Sequence, residues 1–453
     1  METCNLKKEN LVFAMMQGYS FTLSDIKWQL DKDTCIFPYK IADKMPEPMR
    51  IGYLTTLAYF SAEYSAGYTK NINQIFSQWL GVIDIKTIDA NAVYQFNVSL
   101  GPEKNYKVNS IKKFLTKWKK LGYVGVETSA LTMLEKIKVK NNLTGEAVKR
   151  RDPNTGPLTG EELEVVLKSI SNLLKEDKIP MYLYCYVILL ATTGRRPLQL
   201  TSLKTKDLIR TGEGCFLNIP KVKQRKDFRS EFSMVSIDDC LNEKLTTLIN
   251  MNQKYIEDSI NQKISHIKNE LPIFMDYKKP VSIQSGQSLE TIMATDFLHM
   301  KNSFISKELN KITTKFNIQS SRTHNPISLN ARRFRYTLGS RLAKEGASVE
   351  VIAKALDHKS INSSGIYVKN SPDNVHDINM KLHSFFEPLS EIFQGSDSTQ
   401  NKKLFTEYVL NSFGFTDCKH EHEHEHEHEH EHEHEHEHVE CFTCKNFRAW
   451  SSE

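Results

Sequence analysis

The stretch RRFRYTLGSRLAKEGASVEVIAKALDHKSINSSGIY, from Arg332 to Tyr367, decides how this chain is read. Within it His358 follows Arg335 by 23 residues, and Tyr367 follows His358 by 9. An arginine, a histidine and a tyrosine brought to one place supply a phosphate clamp, a proton-handling group and an oxygen nucleophile. Those are the parts that a phosphodiester transesterification requires, and they point to DNA strand cleavage.

Upstream, LLATTGRRPLQL sets Arg195 and Arg196 directly after Gly194, where an apolar helix over Met181–Thr192 is expected to stop. Strand-like runs follow at Cys215–Val222 and Glu231–Ile237, joined by the polar turn RKDFRS. This hairpin offers Lys221, Lys223 and Lys226 near its turn. Further back, KRRDPNTGPLTGEE (Lys149–Glu162) has the Pro, Gly, Asn and Asp content of a linker. It passes into a helix at Thr159, whose spacing to Glu162 is that of a capping box.

Before the linker the pattern is helical. Leu54, Leu57 and Phe60, then Ile72, Ile75, Phe76 and Trp79, recur at the spacing of two helices. A third is expected over Val108–Leu121, with Ile111, Phe114, Leu115 and Trp118 on one face and Lys112, Lys113, Lys117, Lys119 and Lys120 around it. Residues 1–48 hold only short apolar bursts.

At 453 residues the chain calls for two or three domains, and 39% hydrophobic with 25% charged residues is ordinary for a globular protein. No run of 18 apolar residues suggests a membrane span, and METCNLKKENLVFAMM lacks a signal-peptide layout, so a cytoplasmic protein is expected. Eight cysteines, mostly scattered singly, suit a reducing compartment. The net charge of +5 divides unevenly: Cys418–Glu453 carries −8 and the rest +13, with Gly101–Arg151 alone at +9. A basic body of this kind suggests a polyanionic partner.

The tail differs in kind. His420 to His438 alternates His and Glu, and Cys441 and Cys444 follow as CxxC. With Cys418 they offer zinc thiolates, but one CxxC beside a repeat falls short of four fixed ligands. The tract is read as a low-complexity expansion that binds metal opportunistically.

Taken in order, TGRRP, the hairpin lysines, ARRFRYTLGSRL, ALDHKS and GIYVKN resemble the tyrosine recombinase (phage integrase) family, over roughly Leu158 to Phe393. The resemblance implies a mainly α fold with a small antiparallel β-sheet: a helical core-binding domain and a mixed α/β catalytic domain. On this chain that gives an N-terminal extension at 1–48, a core-binding domain at 49–150, a linker at 151–158 and a catalytic domain at 159–395. A connector at 396–417 and the His/Glu tail at 418–453 complete it.

Carried over residue by residue, the resemblance assigns Tyr367 as nucleophile and Arg196, Arg335 and His358 as its partners. Lys223 best matches the hairpin lysine, with Lys221 and Lys226 still open. Arg332 stands where a histidine or lysine is frequent and offers an additional phosphate contact; Gln199 stands where an acidic residue is frequent. The lysines of Val108–Leu121 would bind DNA. The implied activity is site-specific breaking and rejoining of double-stranded DNA through a 3′-phosphotyrosyl link, for integration or excision of a mobile element, the alternatives being a resolvase of chromosome or plasmid dimers and a DNA-binding protein that has lost catalysis. It implies no cofactor, metal or ATP, a tetrameric synapse, and a cytoplasmic, nucleoid-associated protein. The apolar positions Ile378, Leu382, Phe385, Phe386 and Leu389 mark an amphipathic helix at Val375–Phe393 that resembles the family's exchanged C-terminal element.

Overall fold

A computed structural model of the chain describes residues 11–81, 86–139, 145–222, 229–279, 288–358 and 360–368. In chain order its elements begin with β1 (Val12–Phe13), β2 (Ser20–Phe21), β3 (Trp28–Gln29), β4 (Cys35–Ile36), α1 (Tyr39–Ala42), α2 (Glu47–Glu63) and α3 (Ala66–Leu80). Next come α4 (Ala90–Lys104), α5 (Val108–Lys120), α6 (Thr128–Lys136), α7 (Glu146–Lys149), α8 (Gly160–Lys175), α9 (Met181–Thr193) and α10 (Pro197–Thr201). Then follow β5 (Leu208–Thr211), β6 (Gly214–Pro220), β7 (Phe232–Ile237) and α11 (Asp239–Ile260). The last are α12 (Leu289–Ala294), α13 (Asn302–Lys315), α14 (Ala331–Lys344), α15 (Val349–Ala355) and α16 (Gly365–Val368). The fold is mainly α with small antiparallel sheets, and no helix among the described residues is long and apolar enough to cross a membrane.

The described residues form two compact units, one from those before 145 together with 288–298, the other from the remainder. In the first, α5 buries Ile111, Phe114, Leu115 and Trp118, as its apolar spacing predicts. Phe114 and Trp118 meet edge to face, with ring centroids 6.0 Å apart, and Phe76 and Tyr53 pack on them. Residues 1–48, set apart in the sequence, supply Phe21, Trp28, Leu30 and Ile36 to this same core. Their two-residue strands pair as β1–β2 and β3–β4, too short for an alternation to register. The 288–298 segment joins this unit through Asp296, whose Oδ1 accepts a hydrogen bond from Tyr19 Oη at 2.6 Å.

In the second unit α9 is apolar on every side and is buried on every side, among α8, α11, α13 and α14. The capping box forms at the start of α8: Thr159 Oγ1 accepts from the Glu162 amide and Glu162 Oε2 from the Thr159 amide, both at 3.1 Å. Strand β6 is central in a three-stranded antiparallel sheet, β5-β6-β7, with Leu217 paired to Leu208 and Val235. The sequence reading has β6 and β7 but not β5, whose four residues carry Arg210 and two exposed positions rather than an apolar run.

Candidate active site

The site begins where α9 ends. Gly194 closes the helix in the left-handed conformation, at φ 56° and ψ 16°. A Cβ there would stand 2.9 Å from Leu338 Cδ2 and 3.0 Å from Leu356 Cδ2, so α14 and the end of α15 close in only on glycine. Its carbonyl, freed from the helix, accepts a hydrogen bond from Arg335 Nη1 at 2.9 Å.

The next two residues point their charges inward. Arg195 is 4% exposed, with Nε and Nη1 lacking hydrogen-bond partners among the described residues. Burial pushes its pKa down to about 10, against the pull of Asp357. Arg196 stands at the N-cap of α10, and Pro197 follows at the first helical position, where no amide is needed. Arg196 Nη1 donates to the Asp357 carbonyl at 2.9 Å and lies 3.6 Å from Asp357 Oδ2. Gln199 fastens the same place, its Nε2 donating to Asp357 Oδ2 at 2.9 Å and to the Pro220 carbonyl at 3.1 Å.

Helix α14 brings the second arginine. Asn330 caps its start by accepting from the Arg333 amide. Arg333 is fully buried and donates to the carbonyls of Gly156 at 2.8 Å and Ser328 at 2.7 Å. Its Nη2 also reaches Glu162 Oε2 at 3.4 Å, and Arg322 Nη2 bonds the same oxygen at 2.7 Å. This network anchors the first turn. Arg335, two residues on and 8% exposed, uses Nη1 on Gly194 and leaves Nη2 buried without a partner among the described residues. Burial, helped by the charge of Arg196, lowers its pKa to about 9, while Tyr367 works the other way. An unpaired buried N–H of this kind costs about 1–3 kcal/mol, a cost an incoming anion would remove.

Tyr367, on α16, is 3% exposed. Its ring lies on Gly339, one turn beyond Arg335 on the same face of α14. Burial raises the phenol's pKa well above 10; Arg335 and Arg196 oppose that, and Tyr336 adds to it. The His358 ring is nearly parallel to that of Tyr367, with centroids 6.3 Å apart. His358 Nδ1 and Ser364 Oγ are hydrogen-bonded at 2.6 Å, which fixes the imidazole from a buried serine.

Four of the residues named from sequence, Arg196, Arg335, His358 and Tyr367, therefore lie in one cluster. Arg332 is exposed on α14, outside the buried set. Lys223 and Lys226 lie outside the described residues; Lys221, at the root of the hairpin, donates its amide to the Glu231 carbonyl at 2.8 Å. On α5 of the other unit, Lys113, Lys119 and Lys120 are exposed and Lys112 and Lys117 half-buried. Lys119 Nζ donates to the Val126 carbonyl at 2.9 Å, and Lys117 Nζ sits 3.6 Å from the Tyr59 ring centroid. Among the described residues no group of three or more His, Cys, Asp or Glu comes together to hold a metal. Cys418, Cys441, Cys444 and the Val375–Phe393 helix lie outside the described residues.

Asp357 and Ser364 join the site without any motif in the sequence to mark their part in it. Asp357 follows the C-cap of α15 at φ 52°, a left-handed position that costs an L-residue about 1–2 kcal/mol. Its amide bonds the Lys354 carbonyl and that of His358 the Ala353 carbonyl, the two bonds of a Schellman cap. A charged residue where a helix calls for glycine is the signal that marks it.

Residues 158–374 match the phage integrase family. No curated protein matches the chain. Among solved structures, the Tn1549 transposon integrase in complex with transposon right end DNA is 12% identical, over 74% of this chain and 98% of that one, at a TM-score of 0.45. The XerH site-specific recombinase bound to a palindromic difH substrate is 16% identical, over 75% and 85%, at 0.43. A lambda integrase dimer bound to a core site is 12% identical, over 69% and 89%, at 0.39. Likenesses this distant carry no weight for function. Residues 158–374 are a domain of the phage integrase family, the tyrosine recombinases.

Proposed function

We propose that this protein is a site-specific recombinase that cuts and rejoins double-stranded DNA through a 3′-phosphotyrosyl link on Tyr367, serving integration or excision of a mobile element. The support is one observation: the charges of Arg196 and Arg335 both act on the Tyr367 phenol while His358, held by Ser364, lies parallel to its ring.

Arg196 and Arg335 grip the scissile phosphate, whose oxygens satisfy Arg335 Nη2, unpaired among the described residues, and neutralise both cations. Tyr367 Oη attacks phosphorus as its proton passes to His358 or water. The P–O5′ bond breaks, and Lys223 protonates the leaving oxygen. The arginines stabilise the charge that builds on the pentacoordinate phosphorus. Religation runs the same steps backward, with a 5′-hydroxyl displacing Tyr367, so no external energy source enters. Lysines of α5 bind flanking phosphates, and four protomers act on two duplexes.

The test offers the protein a library of nicked duplexes of randomised sequence and looks for a covalent protein–DNA adduct. The adduct is expected from the unmodified chain, is expected to survive EDTA, and is expected to vanish in Tyr367→Phe. An adduct that persists in that variant means another nucleophile. A second reading, a DNA-binding protein without cleavage, is favoured by the burial of Tyr367 and by Gln199 in an acidic residue's place. A tight complex with no adduct would establish it.

A further inference from the structure

We infer that Asp357 is a positioning residue for the reaction, supplying from the end of α15 the carboxylate that the resemblance leads one to expect at position 199. This inference rests on the recombinase reading and deepens it. The acid is absent where it was expected, since Gln199 stands three residues after Arg196. A carboxylate nevertheless reaches the same guanidinium: Asp357 Oδ2 is 3.6 Å from Arg196 Nη1 and 2.9 Å from Gln199 Nε2. The amide at 199 thus does not leave Arg196 without an acid. It holds one brought from 158 residues away.

Three features argue that the carboxylate, rather than the backbone, is what position 357 provides. The residue adopts φ 52° at a helix cap, where glycine is free of strain, so the local fold gains nothing from Asp. Its side chain is only 9% exposed and bound from two directions. Its charge also bears on all three arginines of the cluster, the buried Arg195 and Arg335 and the half-buried Arg196. Both the carbonyl and the carboxylate of Asp357 engage Nη1 of Arg196, which orients the planar guanidinium and leaves its other N–H groups for phosphate. Because His358 is the next residue, the same cap that places Asp357 also places the imidazole.

The experiment compares the rate of adduct formation on nicked duplex in Asp357→Asn, Asp357→Gly, and Asp357→Asn combined with Gln199→Glu. Asp357→Asn is expected to slow the rate at least roughly tenfold, with unchanged affinity in gel shift, the split of an orienting group rather than a binding one. Asp357→Gly relieves the backbone and is expected to be as slow; a rate restored by glycine overturns the inference. Returning the carboxylate with Gln199→Glu is expected to recover most of the rate, and a loss that it does not recover also overturns it. Should the unmodified chain form no adduct, the recombinase reading fails instead. The pairing is then decided by a double-mutant cycle of Asp357→Asn with Arg196→Gln on thermal stability, where additive losses overturn it.

Discussion

The ring of Tyr367 rests on Gly339: a Cβ on that glycine would stand 2.7 Å from Cζ and 2.8 and 2.9 Å from the two Cε atoms. The absence of a side chain at one point of α14 thus sets where the phenol sits relative to Arg335, one turn earlier. Gly339→Ala improves helix propensity but forces the ring away. Adduct formation is expected to fall roughly 10²-fold, the effect of about 1 Å of misplacement in a reacting group. Circular dichroism is expected to show an intact fold, and wild-type adduct rates in this variant would show that the ring's position is not limiting.

Glu162 ties α8, the 320–323 turn and the first turn of α14 together. It is 1% exposed and accepts from Arg322, Ser320, Arg333 and the Thr159 amide. Burial works against its carboxylate, but the bonds from Arg322, Ser320 and Thr159 outweigh it and hold the pKa below 4.5. A depressed carboxyl contributes stability above its unfolded pKa and loses it as pH falls. Glu162→Gln leaves Arg333 buried without a counter-charge, so about 3 kcal/mol of destabilisation is expected at pH 7. The loss relative to wild type is expected to shrink below pH 4, as followed by denaturant titration.

At the other end of α14, Glu345 behaves in the opposite sense. Burial pushes its carboxyl up to about 7, although Arg341 and Lys344 pull it down. A raised carboxyl contributes most below its unfolded pKa, and that contribution is lost as pH rises through the folded value. Wild-type stability is therefore expected to decline between about pH 4.5 and 7 by up to about 3 kcal/mol relative to Glu345→Gln. Thermal melting of both proteins across this range measures the difference. Parallel curves would remove Glu345 as the cause.

On α5, Lys113 and Lys120 are exposed, whereas Lys119 is engaged with the Val126 carbonyl. Replacing Lys113 and Lys120 with Gln is expected to weaken DNA binding without regard to sequence. It is also expected to reduce the slope of log K against log salt by about 2, near 0.9 for each lost phosphate contact. Fluorescence anisotropy at three or more salt concentrations reads this directly, and an unchanged slope would place DNA elsewhere.

What was legible in the chain was what neighbours in sequence decide. The amphipathic α5, the Thr159–Glu162 capping box, the stop of α9 at Gly194 and the strands β6 and β7 are local patterns of period, cap or turn. The 11–45 region escaped because strands of two residues carry no period, and its apolar residues find their partners on helices that follow later. Residue types alone named Arg335, His358 and Tyr367 as a chemical set, and family resemblance added Arg196 and Lys223. No spacing could reveal that Asp357 and Gln199 share one carboxylate–amide contact across 158 residues, or that Gly339 is the floor beneath Tyr367. Sequence by itself determined which reactive side chains the chain has and which local elements carry them, because side-chain chemistry and short-range periodicity belong to the residues themselves. Only the tertiary structure decided how those side chains are held, because burial, charge coupling and close packing exist only once distant segments of the chain have met.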